Sequence, residues 1–196
     1  MQRLHANFVL GYHGCDRSVA DRLIVGDPFR KSQNDYDWLG GGIYFWEANP
    51  QRGLDFAVEK SVRRNSSIKV PAVVGAVIDL GECLDLMSLA AIEMVRTAYG
   101  SLAATMKKAG QPLPTNRDKM RRRLDCAVIE HLHAIHEGQG GFIDSVRGVF
   151  TEGDALYPGS AFTEKTHVQI AVRSAQCIKG VFRVPNSHLK RWRPRT

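Results

Sequence analysis

Trp38-Leu39-Gly40-Gly41-Gly42-Ile43-Tyr44-Phe45-Trp46 decides how this chain is read. Three glycines lead into four large apolar or aromatic residues, the pattern of a loop feeding a buried strand. Upstream, Phe8-Val9-Leu10-Gly11-Tyr12-His13-Gly14 has the same design: an apolar strand that presents one polar residue beside glycine. Glycine matters in both, because it lets another backbone or a ligand come close where a side chain would block the approach.

Working outward, residues 5–14 are predicted to form a strand and 16–25 a short helix, with Gly26 as its stop. A polar loop over 27–37 leads to the glycine run, and 43–46 form the next strand. Asn49-Pro50 reads as an N-cap followed by proline in the first helical turn, opening a helix to about Arg63. Val70 to Leu80 is a near-continuous apolar run rich in valine, as expected of a central strand. Residues 87–108 and 119–137 have helical periodicity, and Gln111-Pro112-Leu113-Pro114-Thr115-Asn116 separates them. The spacing predicts a helical hairpin inserted at about 87–137. Strands are predicted at 145–150, 167–172 and 178–184, with a long polar loop over 151–166. The pattern predicts one α+β domain over 1–196.

Composition narrows the class. The chain has 196 residues, 43% hydrophobic and 24% charged, which is ordinary for a globular domain that buries a sizeable core. No apolar run approaches the roughly 18 residues needed to span a bilayer. No signal-peptide pattern is evident at the N-terminus. Cys15, Cys83, Cys126 and Cys177 lie far apart with no CxxC pair, the usage of reduced thiols in a cytoplasm. The net charge of +7 attracts anionic partners. Its cations gather at Arg63-Arg64, at Lys119 to Arg123, and in Lys190-Arg191-Trp192-Arg193-Pro194-Arg195. A tryptophan among arginines suits stacking on a base while the cations hold phosphates, and a solvated basic tail is the other reading.

Several chemistries are disfavoured. His131, His133 and His136 suggest a metal site, but His131 and His133 lie about 200° apart around a helix and cannot share an ion. No HExxH is present, and no metal is expected. The glycines at 40–42 lack the GxxxxGK[ST] of a phosphate loop, and no GxGxxG opens a helix.

The order His-Gly, helix, loop, then Gly40-Gly41-Gly42-Ile43-Tyr44-Phe45 resembles the first half of an ADP-ribosyltransferase catalytic domain of the poly(ADP-ribose) polymerase and diphtheria-toxin kind. That family carries Gly-Lys-Gly-Ile-Tyr-Phe at the second motif. Tyr36-Asp37-Trp38-Leu39-Gly40 and Thr166-His167-Val168-Gln169-Ile170 are similar to bacterial ADP-ribosyltransferase-like toxins of this group. The resemblance covers about 80 residues, leaving the helical hairpin outside it. It implies a split antiparallel β-sandwich that takes NAD as substrate.

By resemblance, the catalytic residues are His13, Tyr44 and Gln169. His13 positions ribose and nicotinamide, and Tyr44 stacks on the nicotinamide ring. His13, Gly14, Tyr36, Gly42, Tyr44 and Arg147 bind the cofactor. Arg147 suits the pyrophosphate as a planar fork, or a surface ion pair. Gln169 stands where the family has a glutamate. It can hydrogen-bond a ribose hydroxyl but cannot act as a general base, which disfavours polymer elongation and favours single transfer. Glu152, Asp154 and Glu164 in the preceding loop are alternative carboxylates. The family's nicotinamide-contacting serine is missing, with Gln51 or Arg52 falling near its place.

The implied function is NAD-dependent mono-ADP-ribosyl transfer by a bacterial or phage-defence toxin. Nucleic acid, RNA in particular, or protein would be the acceptor. An antitoxin protein is a possible partner by analogy, and no membrane is involved. An NAD glycohydrolase and a non-catalytic NAD or ADP-ribose-binding module are the rival readings.

Overall fold

The computed structural model describes residues 8–117 and 121–190. The chain divides into two compact units, each assembled from separate stretches of sequence.

The first unit holds the described parts of 1–29, 45–79 and 176–196. Strand β1 (Phe8–Asp16) runs directly into helix α1 (Arg17–Ile24). Asp16 makes that turn. Its side chain accepts from Ser18 N as the N-cap and from the backbone N–H groups of Lys69 and Val70. Those donors hold its carboxyl far below the ordinary range. Strand β2 (Ile43–Glu47) is followed by helix α2 (Pro50–Ser61), capped by Asn49, whose side chain accepts from Arg52 N. Strand β3 is Pro71–Asp79. Val74, Ala76 and Ile78 are fully buried along it, each larger side chain contributing about 1.5–3 kcal/mol. Cys15, Ala20, Leu23, Ala72 and Val74 form the core under α1.

The second unit holds 30–44 and 80–175. It carries β4 (Cys83–Asp85), α3 (Leu89–Lys108), α4 (Arg123–Gly138), β5 (Ser145–Phe150) and β6 (His167–Val172). Ala91 and Ala98 of α3 meet Val128, Ile129 and Leu132 of α4 in one core with Leu39, Leu84, Val146 and Ala171. The hairpin expected at 87–137 is therefore built into the core of its unit. β7 (Ile178–Arg183) completes the strands, in the first unit.

Among the described residues the fold is α+β with four α-helices; the strands lie in the order β2-β1-β3-β7 in the first unit and β4-β5-β6 in the second. β1 pairs antiparallel with β2 and β3, as do β3 with β7 and β5 with β6. Two details differ from the expectation of wholly antiparallel strands. β4 is an additional strand, and it pairs parallel with β5 through Cys83↔Ser145, Leu84↔Val146 and Asp85↔Arg147. Three residues are too few to show a period, so only tertiary pairing reveals this strand. No helix among the described residues is long and apolar enough to cross a membrane.

Candidate functional site

His13 lies half-buried on β1. Its ring meets the edge of Phe29 at 5.4 Å and Phe45 at 5.7 Å between centroids. Phe45 is the residue after Tyr44, so the two motifs quoted first are neighbours in the fold. The β1–β2 ladder ends at Tyr12↔Trp46, one residue before His13 and Phe45, whereas β1 continues with β3 as far as Asp16↔Pro71. Gly14 is buried for a structural reason. A Cβ there would collide with the backbone carbonyl of Gly53, where α2 crosses β1. Arg52, near the place of the missing serine, is buried, with its guanidinium 5.8 Å from the Trp46 ring and 3.4 Å from Glu59. Gln51 bonds Asp55 and accepts from Lys190 N.

In the second unit, the glycine segment uses its backbone N–H groups internally. Gly40 N donates to Asp37 O at 2.7 Å, Gly42 N to Ser32 O at 3.0 Å, and Gly41 N to the carboxylate of Glu130. All three amides are thus committed to acceptors within the protein. Gly40 has φ +76°, and a Cβ on it would meet Glu130, Ile129 and His133 of α4, so both backbone and space require glycine. Gly42 is buried against Ala171 and Val172 of β6.

Tyr44 is half-buried against the α3–α4 core. Its hydroxyl donates to Gly40 O at 2.9 Å and accepts from Leu39 N at 3.1 Å. Burial, then the charge of Asp37, pushes its pKa well above 10, so it remains a donor at neutral pH. Gln169 lies on β6 opposite Gly148 of β5, and its Oε1 accepts from Trp38 Nε1 at 2.7 Å. Because Leu39 follows Trp38, this one segment binds both Tyr44 and Gln169.

Arg147, its side chain half-buried, ion-pairs with Asp85 at 3.2 Å. Tyr36 is exposed in a turn. Glu152 pairs with Lys165 at 3.6 Å. Glu164 Oε2 lies 3.5 Å from Asp154 N, across a loop closed by the Ala155↔Thr163 bridge. In the basic cluster at 119–123, residues 119 and 120 lie outside the described residues. The Arg122 guanidinium sits 4.3 Å from the Phe150 ring and 5.3 Å from Trp38, and Arg123 pairs with Asp35 at 3.0 Å. The basic tail from 191 also lies outside the described residues.

His131 bonds Ser101 at 3.0 Å, while His133 is 2% exposed beneath Gly40. Burial, then the positive Arg173, lowers the His133 pKa to about 4. Among the described residues, no group of three or more His, Cys, Asp or Glu is arranged to hold a metal ion. A groove of about 1020 Å³ lies in the first unit among α1, α2, residues 70–74 and residues 183–190. It is lined by Ile24, Leu54 and Val58, with Arg17 and Lys190, and by none of the site residues expected from sequence.

Sequence reasoning missed Glu130 and Trp38 as anchors. Glu130 is 89 residues from the amide it accepts from, and Trp38 is 131 from Gln169, so no local pattern signals either bond.

The chain is 26% identical over 186 residues to an uncharacterised protein, MJ0359, of Methanocaldococcus jannaschii, covering 86% of this chain and 83% of that one. No protein-family model matches the chain, and no solved structure does.

Proposed function

We propose that this protein is an NAD-dependent mono-ADP-ribosyltransferase of the bacterial or phage-defence toxin kind. The observation that carries the reading is the contact of His13 with Phe45, which joins His-Gly to Gly-Ile-Tyr-Phe on neighbouring strands. The split β-sandwich belongs to the same proposal. Its support is the end of the β1–β2 ladder at Tyr12↔Trp46, just before the two motif residues.

The chemistry asked of the site is cleavage of the bond between nicotinamide and the ribose C1′. Positive charge builds on the sugar as the bond lengthens, as in glycoside hydrolysis. In this reading His13 holds a ribose hydroxyl and Tyr44 offers a ring face to the nicotinamide. Gln169 hydrogen-bonds the ribose without serving as a base. The acceptor is nucleic acid, with RNA favoured by the net charge of +7, or protein. An antitoxin would restrain such an activity in its cell.

The test is incubation of the full chain with labelled NAD, separately with RNA, DNA and cell proteins. Label on one acceptor class, lost in a folded His13→Ala variant, supports transfer. Nicotinamide release without acceptor would replace transfer with glycohydrolysis. Binding of NAD or ADP-ribose without any release would establish a binding module. Gln169 is the observation that favours this second reading, because it stands where the family has a carboxylate. No binding and no release would reject the NAD reading.

A further inference from the structure

Trp38 and Gln169 are joined by a bond whose direction has only one solution. An indole N–H donates and cannot accept, so the group 2.7 Å from Trp38 Nε1 must be the amide oxygen of Gln169. The amide nitrogen then points away from the indole. No protein acceptor takes Nε2 among the described residues.

The indole is seated firmly enough to impose this choice. Its ring lies over Gly148, the residue directly opposite Gln169 on β5, where a Cβ would come within 2.8 Å of Trp38 Cη2. Phe150, two residues on, packs against the same indole at 5.2 Å between centroids. The Arg122 guanidinium covers both rings, at 5.3 Å from Trp38 and 4.3 Å from Phe150. On its C-terminal side Leu39 N donates to the Tyr44 hydroxyl, which holds the backbone of the segment.

We propose that Trp38 is the positioning residue of Gln169, turning its amide so that Nε2 is the group offered to a ligand. Gln169 therefore acts as a hydrogen-bond donor and selects an oxygen acceptor such as a sugar hydroxyl. The identity of that ligand as NAD or ADP-ribose rests on the reading proposed above, whereas the orientation of the amide does not. A donor also places the positive end of a dipole toward the ligand, which gives no stabilisation to a developing cation. A glutamate at 169 would keep one oxygen on the indole and offer a second, negatively charged oxygen in place of Nε2.

The test separates orientation from function. The protein has three tryptophans, so Trp38→Phe assigns the Trp38 indole N–H signal in a nitrogen-15 spectrum by its loss. In Gln169→Ala that signal should move and its proton should exchange faster with solvent. In Gln169→Glu it should move the other way and follow the titration of one carboxylate. An indole signal unmoved in both variants overturns the proposal, whatever NAD does. With NAD or ADP-ribose as probe, the Gln169 Nε2 proton pair should shift more than the indole proton. Trp38→Phe keeps an aromatic ring and removes the donor, so its affinity should fall about fivefold, the worth of one neutral hydrogen bond. Gln169→Glu should raise NAD hydrolysis above the parent. Unchanged affinity in folded Trp38→Phe overturns the positioning role. Failure of the parent to bind either probe rejects the NAD reading, and the indole spectra still decide the orientation.

Discussion

At the scale of single residues, Gly14 and Tyr44 have structural duties that any functional test must respect. Gly14→Ala would drive a methyl into the Gly53 carbonyl. Overpacking of this kind costs about 1–3 kcal/mol, so the variant should unfold at lower urea whether or not Gly14 touches a ligand. Tyr44→Ala removes a side chain packed on the α3–α4 core and so confuses stacking with stability. Tyr44→Phe is the sharper probe. It keeps the ring and loses the bonds with Gly40 O and Leu39 N, at about 1 kcal/mol each. Its urea midpoint should fall while NAD affinity, read by calorimetry, stays near the parent value. A large loss of affinity would instead assign the hydroxyl, or the loop it ties, to ligand binding.

At the scale of elements, α4 buttresses the glycine loop through Glu130 on Gly41 and His133 beneath Gly40. Burial and Arg173 lower the His133 pKa to about 4, while Glu137 and His136 also face the ring's surroundings. A histidine whose pKa is depressed in the fold binds its proton more readily when unfolded. Stability is therefore full above about pH 6.5 and falls as pH drops toward 4. Glu137 is held below its ordinary pKa by its hydrogen bond with Arg173. Urea midpoints at pH 7 and pH 5 should differ in the parent and converge in His133→Leu. A parent difference that survives the substitution would assign the effect to another group.

At the scale of the whole chain, charge and thiols give two measurements. Burial, the largest cause in each case, pushes the Cys15 pKa to about 12 and that of Cys126 to about 11, which leaves both as inert thiols at neutral pH. Cys177 is also buried, and Cys83 is half-buried. Alkylation of the native protein should modify Cys83 first, as read by mass spectrometry of its peptides. Among the basic clusters, Arg122 and Arg123 are engaged with aromatic rings and Asp35, whereas Arg63 and Arg64 are exposed in the turn after α2. If RNA is the acceptor, replacing both Arg63 and Arg64 with Gln should shallow the log affinity against log salt slope. The change is up to about 1.4, at roughly 0.7 per single-strand contact. An unchanged slope would remove this turn from the contact surface.

The strands and helices were legible wherever a period or a cap is local. Asn49 caps α2 as read, β5 and β6 occupy the predicted residues, and the valine run forms the buried β3. His-Gly and Gly-Ile-Tyr-Phe were visible as two motifs because each is a run of consecutive residues. Their juxtaposition through His13 and Phe45, however, depends on strand pairing. The same limit hid β4, the anchoring of Gly41 by Glu130, and the indole that turns Gln169. Composition and local pattern determine which residues bury and which segments become helix or strand, since those free energies depend on neighbours in the chain. The direction of a side-chain hydrogen bond between residues 131 apart depends on where the backbone brings them, and only the tertiary structure decides that.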